Sequence, residues 1–147
     1  MKNLNPEVRN GILLFLFIGV YFIIIDLLGY ADNIYLRTLN IFFVFYFVNR
    51  TYKQYVSKGE SSFLNNLGAA IITSVLGVVL SIVGFLLYIV VFRGNDYLSE
   101  LSEPLIGAGK DLTLLQYCFA LFAEGIASSV IVAFILNQYW KNKSTES

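Results

Sequence analysis

Glu124 is the single charged residue between Leu112 and Tyr139, set in the stretch ALFAEGIASSVIV. A carboxyl group in so apolar a run has two uses. Protonated, it donates a hydrogen bond that holds one helix to another; titrating, it binds a proton or a cationic substrate. Its neighbours at helical spacing, Tyr117, Ala120, Ala127 and Ser128, make a small and polar face, so Glu124 is expected to turn toward protein. Counting about 1.5 Å per helical residue places Tyr21 and Ser81 at a similar depth, with Asn40 slightly nearer the outer end. Tyr21, Asn40, Ser81 and Glu124 are thus a candidate intramembrane polar cluster, one member from each of four predicted helices. Asp26 and Arg37 flank a short connection, share a depth of their own and are expected to form an ion pair. That pair would pin the first hairpin and leave Glu124 with no charged partner in its own chain.

Other chemistries lack their residues. Cys118 is the only cysteine, which removes an internal disulfide, a Cys-x-x-Cys redox pair and a thiolate metal cluster. The chain has no histidine, so imidazole ligation and Ser-His or Cys-His catalysis are excluded. Gly107-Ala108-Gly109-Lys110 lacks the spacing of a phosphate-binding loop. No cofactor is expected, and no enzyme. The formal net charge is zero, which gives no basic surface for nucleic acid.

The elements that must hold these residues follow from composition. Of 147 residues 57% are hydrophobic and only 14% charged, and the apolar ones gather at 11–29, 34–48, 67–92 and 112–139. A bilayer crossing needs about 20 predominantly apolar residues. The expected fold is all-α: one membrane domain over 1–147, an up-down four-helix transmembrane bundle with spans near 11–29, 34–50, 67–92 and 113–138. A soluble bundle would need polar faces at helical spacing within the runs, and polar residues are numerous only at their ends. Asn5-Pro6-Glu7 reads as the start of helix 1, which ends near Gly29. Asp32 or Asn33 can cap helix 2, which continues to a stop near Gly59; Ser61 or Ser62 can cap helix 3, Gly94 can close it, and Asp111 can cap helix 4. An alternative takes the first span as a signal peptide cut near Gly29-Tyr30-Ala31, against which Asp26 interrupts the apolar region.

Charge sets the orientation. Lys2, Arg9, Arg50, Lys53, Lys58, Lys141 and Lys143 fall on one side of the four spans, and Arg37, Arg93 and Lys110 on the other with most of the acids. The positive-inside rule puts both termini in the cytoplasm, and Tyr139 and Trp140 mark the inner boundary of helix 4. On helix 3, Ala70, Ser74, Gly77, Ser81 and Gly84 recur at intervals of four and three, a small-residue face against which another helix can pack. That partner is either a helix of the same chain or a second copy. Ile71, Val75, Val78, Ile82 and Phe85 are then expected to turn toward lipid or a looser contact. Tyr97, Leu98, Leu101, Leu105 and Ile106 in the outer loop are spaced for a short amphipathic segment on the membrane, acting as an anchor or as a lid.

With Gly59-Glu60-Ser61-Ser62-Phe63 before a small-residue third helix, the chain resembles the small four-span inner-membrane proteins of bacteria grouped as domains of unknown function. The resemblance implies a bacterial inner membrane and no activity. Small multidrug exporters have a similar length and a membrane glutamate, but theirs lies in the first helix. Membrane glutathione-transferase-like enzymes carry a charged helix-2 signature of which Arg37-Thr38-Leu39-Asn40 is only a fragment. The leading expectation is a structural or accessory membrane protein, packing in the lipid bilayer with itself as a homo-dimer or with a larger complex. A proton- or cation-coupled transporter using Glu124 is the alternative.

Overall fold

Pro6 has no backbone N–H to lose, and it opens the first helix, α1 (Pro6–Leu27). The computed structural model describes residues 4–59, 62–94, 97 and 113–145, and every regular element among the described residues is helical. Gly29, at φ +76°, turns the chain out of α1. Asn33 then caps α2 (Ile34–Thr38): its side chain accepts the N–H groups of Tyr35 at 3.0 Å and Leu36 at 3.4 Å. Next come α3 (Asn40–Val56) and α4 (Phe63–Tyr88), the latter capped by Ser62, whose Oγ accepts from Asn65 N–H at 3.5 Å. A π-helical turn, Ile89–Arg93, extends α4 and closes at Gly94. The last helix, α5, runs Leu114–Thr145. At its start Thr113 and Gln116 cap each other: Thr113 Oγ1 accepts from Gln116 N–H at 3.3 Å, and Gln116 Oε1 accepts from Thr113 N–H at 2.9 Å. The expected cap at Asp111 lies outside the described residues.

Among the described residues three helices are long and apolar enough to cross a membrane, Pro6–Leu27, Phe63–Arg93 and Leu114–Trp140, and not the four expected. The difference is the second run, which the chain breaks at Leu39. Leu39 N–H turns back to the Leu36 carbonyl at 3.2 Å, and the same carbonyl accepts Tyr21 Oη at 2.9 Å. A side chain set into the backbone ladder interrupts a helix in this way. Arg50 and Lys53 further lower the apolar character of α3.

The helices pack most closely toward the end where α1 begins and α5 finishes. Leu14, Phe47, Val48, Ala70, Val132 and Ala133 are buried there in one cluster. A buried polar ladder crosses the same region: Asn10 Nδ2 donates to Thr51 Oγ1 at 2.9 Å, and the Thr51 and Thr73 hydroxyls lie 2.9 Å apart. Tyr52 Oη donates to the Ala133 carbonyl at 3.2 Å, and Trp140 Nε1 to Asn49 Oδ1 at 2.9 Å. These bonds tie α1, α3, α4 and α5 together at one level.

Helix α4 is central, with α1, α3 and α5 all packed on it. Ala70 and Ser74 are fully buried, and a Cβ at Gly77 would stand 2.5 Å from Leu14 Cδ2 of α1. At Gly84 it would stand 2.8 Å from Phe15 Cε2. The opposite side of α4 is not left to lipid, contrary to expectation. Val78 is 8% exposed and lies against α5, where a Cβ at Gly125 would come within 2.6 Å of Val78 Cγ1. Phe85 packs on Phe22 and Tyr117 with ring centroids 5.4 and 5.6 Å apart. A helix with neighbours on several sides has no single packing face, which explains the discrepancy.

Candidate functional site

Away from the tight end, the bundle has a charged clasp and a cavity. Asp26, in the last turn of α1, is buried. Its Oδ2 pairs with the Arg93 guanidinium and accepts from Tyr88 Oη, while Oδ1 accepts from Tyr97 Oη at 2.5 Å. Arg93 Nε also donates to Tyr88 Oη at 3.1 Å. The π-helical turn makes this possible, because widening the helix by one residue brings positions 88 and 93 to the same side. Burial, with the Asp26 hydrogen bond second, pushes the Tyr97 phenol well above its usual range, so it remains a donor. Of the predicted amphipathic loop segment only Tyr97 is among the described residues; Leu98, Leu101, Leu105 and Ile106 lie outside them.

The expected Asp26–Arg37 pair is not formed. Asp26 faces α4, and Arg37 points into the bundle, where Nη2 is 4.0 Å from Glu124 Oε2 and Cζ is 5.6 Å from the centre of the Tyr117 ring. Glu124 therefore has a cation beside it after all. Arg93, which the sequence paired with nothing, is the partner of Asp26.

The Arg37–Glu124 pair sits on the wall of a cavity of about 560 Å³ bounded by α2 and the far parts of α1, α3, α4 and α5. That lies within the range of about 300–1,000 Å³ typical of small-molecule sites. Phe15, Ile18, Phe22, Ile82 and Leu121 make much of the wall apolar. Its polar groups include Arg37, Asn40, Ser81, Tyr117, Glu124 and Ser128, with the hydroxyl-bearing Thr38 and Tyr88 also on the wall. The Glu124 side chain is 59% exposed and that of Arg37 12%. A separation of 4.0 Å is an ionic contact without a hydrogen bond. Arg37 Nη1 and Asn40 Oδ1 are buried with no hydrogen-bond partner among the described residues. The site thus holds an unfilled donor, an unfilled acceptor and an open carboxylate in apolar surroundings, where unmatched polar groups are costly.

Three of the four residues proposed as a polar cluster, Asn40, Ser81 and Glu124, line this cavity. Tyr21 does not join them, since its hydroxyl is taken by the Leu36 carbonyl. Ser81 Oγ donates to the Gly77 carbonyl of its own helix at 2.8 Å. Sequence reasoning missed Arg37 as the neighbour of Glu124, and Tyr88, Arg93 and Tyr97 around Asp26. Among the described residues no group of three or more His, Cys, Asp or Glu side chains could hold a metal ion.

Fold and site define a class: a small all-α protein whose apolar helices suit a membrane-embedded chain, with a charge pair on the wall of an apolar cavity. No family model, curated protein or solved structure matches the chain.

Proposed function

We propose that this chain is a four-span accessory protein of the bacterial inner membrane, with both termini in the cytoplasm, that holds a small amphiphilic molecule within its bundle. The cavity carries the reading: about 560 Å³ of largely apolar space with Arg37 and Glu124 on its wall suits a molecule with an apolar body and a polar head. The broken second run supports a fourth crossing by length. From Ile34 to Val56 it rises roughly 30–35 Å at about 1.5 Å per residue, close to the thickness of the hydrocarbon core. The distribution of Lys and Arg supports the orientation.

Native mass spectrometry of protein released from micelles tests the binding role. Gly19 lines the cavity, and a Cβ there would meet nothing within 4 Å, so Gly19→Phe fills the space without a backbone clash. The wild-type chain should retain an amphiphile that the variant releases. Equal retention by both, or none by either, would refute the reading.

A second reading, cation- or proton-coupled transport, is favoured by one feature. Glu124 is open and held only by a contact at 4.0 Å, which a cationic substrate can displace. Flux in proteoliposomes that disappears in Glu124→Gln would establish transport; flux unaffected by that change would eliminate Glu124 as its carrier.

A further inference from the structure

Resting on the reading of the cavity as a binding site, we infer that its ligand is a zwitterionic amphiphile, with a phosphate or carboxylate against Arg37 and an ammonium against Glu124. The donor and acceptor inventory points there. Arg37 offers a buried Nη1 with no partner and can only donate. Asn40 Oδ1, also buried without a partner, can only accept, as can the open carboxylate of Glu124. An occupant must therefore bring acceptors for Arg37 and donors for Asn40 and Glu124. An ammonium supplies three donors, and a phosphate or carboxylate supplies the acceptors.

Charge excludes the simpler amphiphiles. With Nη2 and Oε2 at 4.0 Å, an anionic head drawn to Arg37 lies beside the Glu124 carboxylate, and a cationic head drawn to Glu124 lies beside the guanidinium. Each meets repulsion from the second charge. An uncharged head displaces water from both charged groups and compensates neither. A head with both signs a few bonds apart matches the pair and keeps the site neutral. Phe22, Phe85 and Leu121 leave the remaining wall to an acyl or other apolar tail.

The test measures lipid binding to the full chain in mixed micelles by native mass spectrometry, using phosphatidylethanolamine, anionic phosphatidylglycerol and a long-chain alkylamine. Wild-type protein should bind phosphatidylethanolamine at least about tenfold more tightly than either of the others. Glu124→Gln should erase the preference over phosphatidylglycerol, and Arg37→Gln the preference over the alkylamine. Soluble phosphoethanolamine separates the two sources of this chemistry: competition at equal concentration supports a free zwitterion, and failure to compete supports a lipid. Wild-type protein that binds phosphatidylglycerol or the alkylamine as tightly as phosphatidylethanolamine overturns the inference. If Gly19→Phe still abolishes that binding, the cavity reading survives it. Binding of none of the three overturns both. Should the single variants fail to fold, the selectivity of the wild-type chain decides alone.

Discussion

Asp26 and Arg93 form an ion pair that joins the end of α1 to the π-helical turn after α4, with Tyr88 and Tyr97 donating to the same carboxylate. Charged hydrogen bonds of this kind contribute about 1.5–3 kcal/mol. Asp26→Asn should lower stability by that order in a detergent melt. A double-mutant cycle assigns the partner: Asp26→Asn with Arg93→Gln should be strongly non-additive, whereas Asp26→Asn with Arg37→Gln should be additive within about 0.5 kcal/mol. Coupling to Arg37 in place of Arg93 would contradict the arrangement.

The approach of α1 to α4 predicts a graded response to added side chains. Gly77→Leu drives atoms into Leu14 and should cost about 1–3 kcal/mol. Val78→Leu should also destabilise, because Val78 already fills the space left by Gly125. Gly19→Leu, which meets open space and adds helix propensity, should be neutral or stabilising. Thermal melts of the three variants check the order, and equal melting would refute it.

The polar ladder should matter as a unit. Thr51 stands between Asn10 and Thr73, so Thr51→Val removes the group that both others meet. Interhelical hydrogen bonds in membranes contribute about 0.6–2 kcal/mol. Thr51→Val should fall in that range, and adding Asn10→Leu should cost less than the sum of the two single changes. Full additivity, measured by denaturation in mixed micelles, would show that the ladder is not cooperative.

Cysteine labelling decides whether the broken second run crosses the bilayer. Asp32 and Ser57 are exposed at opposite ends of that run. Single cysteines at these positions, in a Cys118→Ser background, should react differently with a membrane-impermeant reagent in intact cells with outer-membrane access ensured. Position 32 should label and position 57 should not. The reverse would invert the orientation, and equal labelling would remove the fourth crossing.

Much of the helical framework was legible because caps are local. Asn33, Ser62 and Gly94 act where their residue types suggested, since each answers to the backbone within a turn of itself. Counting residues set Tyr21, Ser81 and Glu124 at a similar level with Asn40 slightly outward, and of these Asn40, Ser81 and Glu124 line one cavity. Rotation about a helix axis was not legible, because it is set by packing against helices distant in sequence. Arg37 and Asp26 therefore looked like partners from depth and turn to different helices. The break at Leu39 depends on Tyr21, eighteen residues away in the chain and on another helix, and no local pattern announces it. Nor does anything in Ile89–Arg93 itself signal the widened turn that carries Arg93 to Asp26. The reciprocal cap of Thr113 and Gln116 has the local form Thr-x-x-Gln, which is readable in the sequence.

The unequal filling of the bundle gives it a gradient of stiffness. Where Asn10, Thr51 and Thr73 bridge three helices over a filled core, separating them requires breaking hydrogen bonds and exposing close-packed surfaces. Around the cavity a smaller buried cluster, Ala31, Ile89, Tyr97 and Tyr117, lies beside about 560 Å³ of open space, and local opening is easiest where buried contacts are few. The molecule is therefore built like tweezers, rigid at the joined end and compliant at the tips. The Asp26–Arg93 clasp lies across the two tips formed by α1 and α4, leaving the segment that bears Arg37 as the more yielding arm.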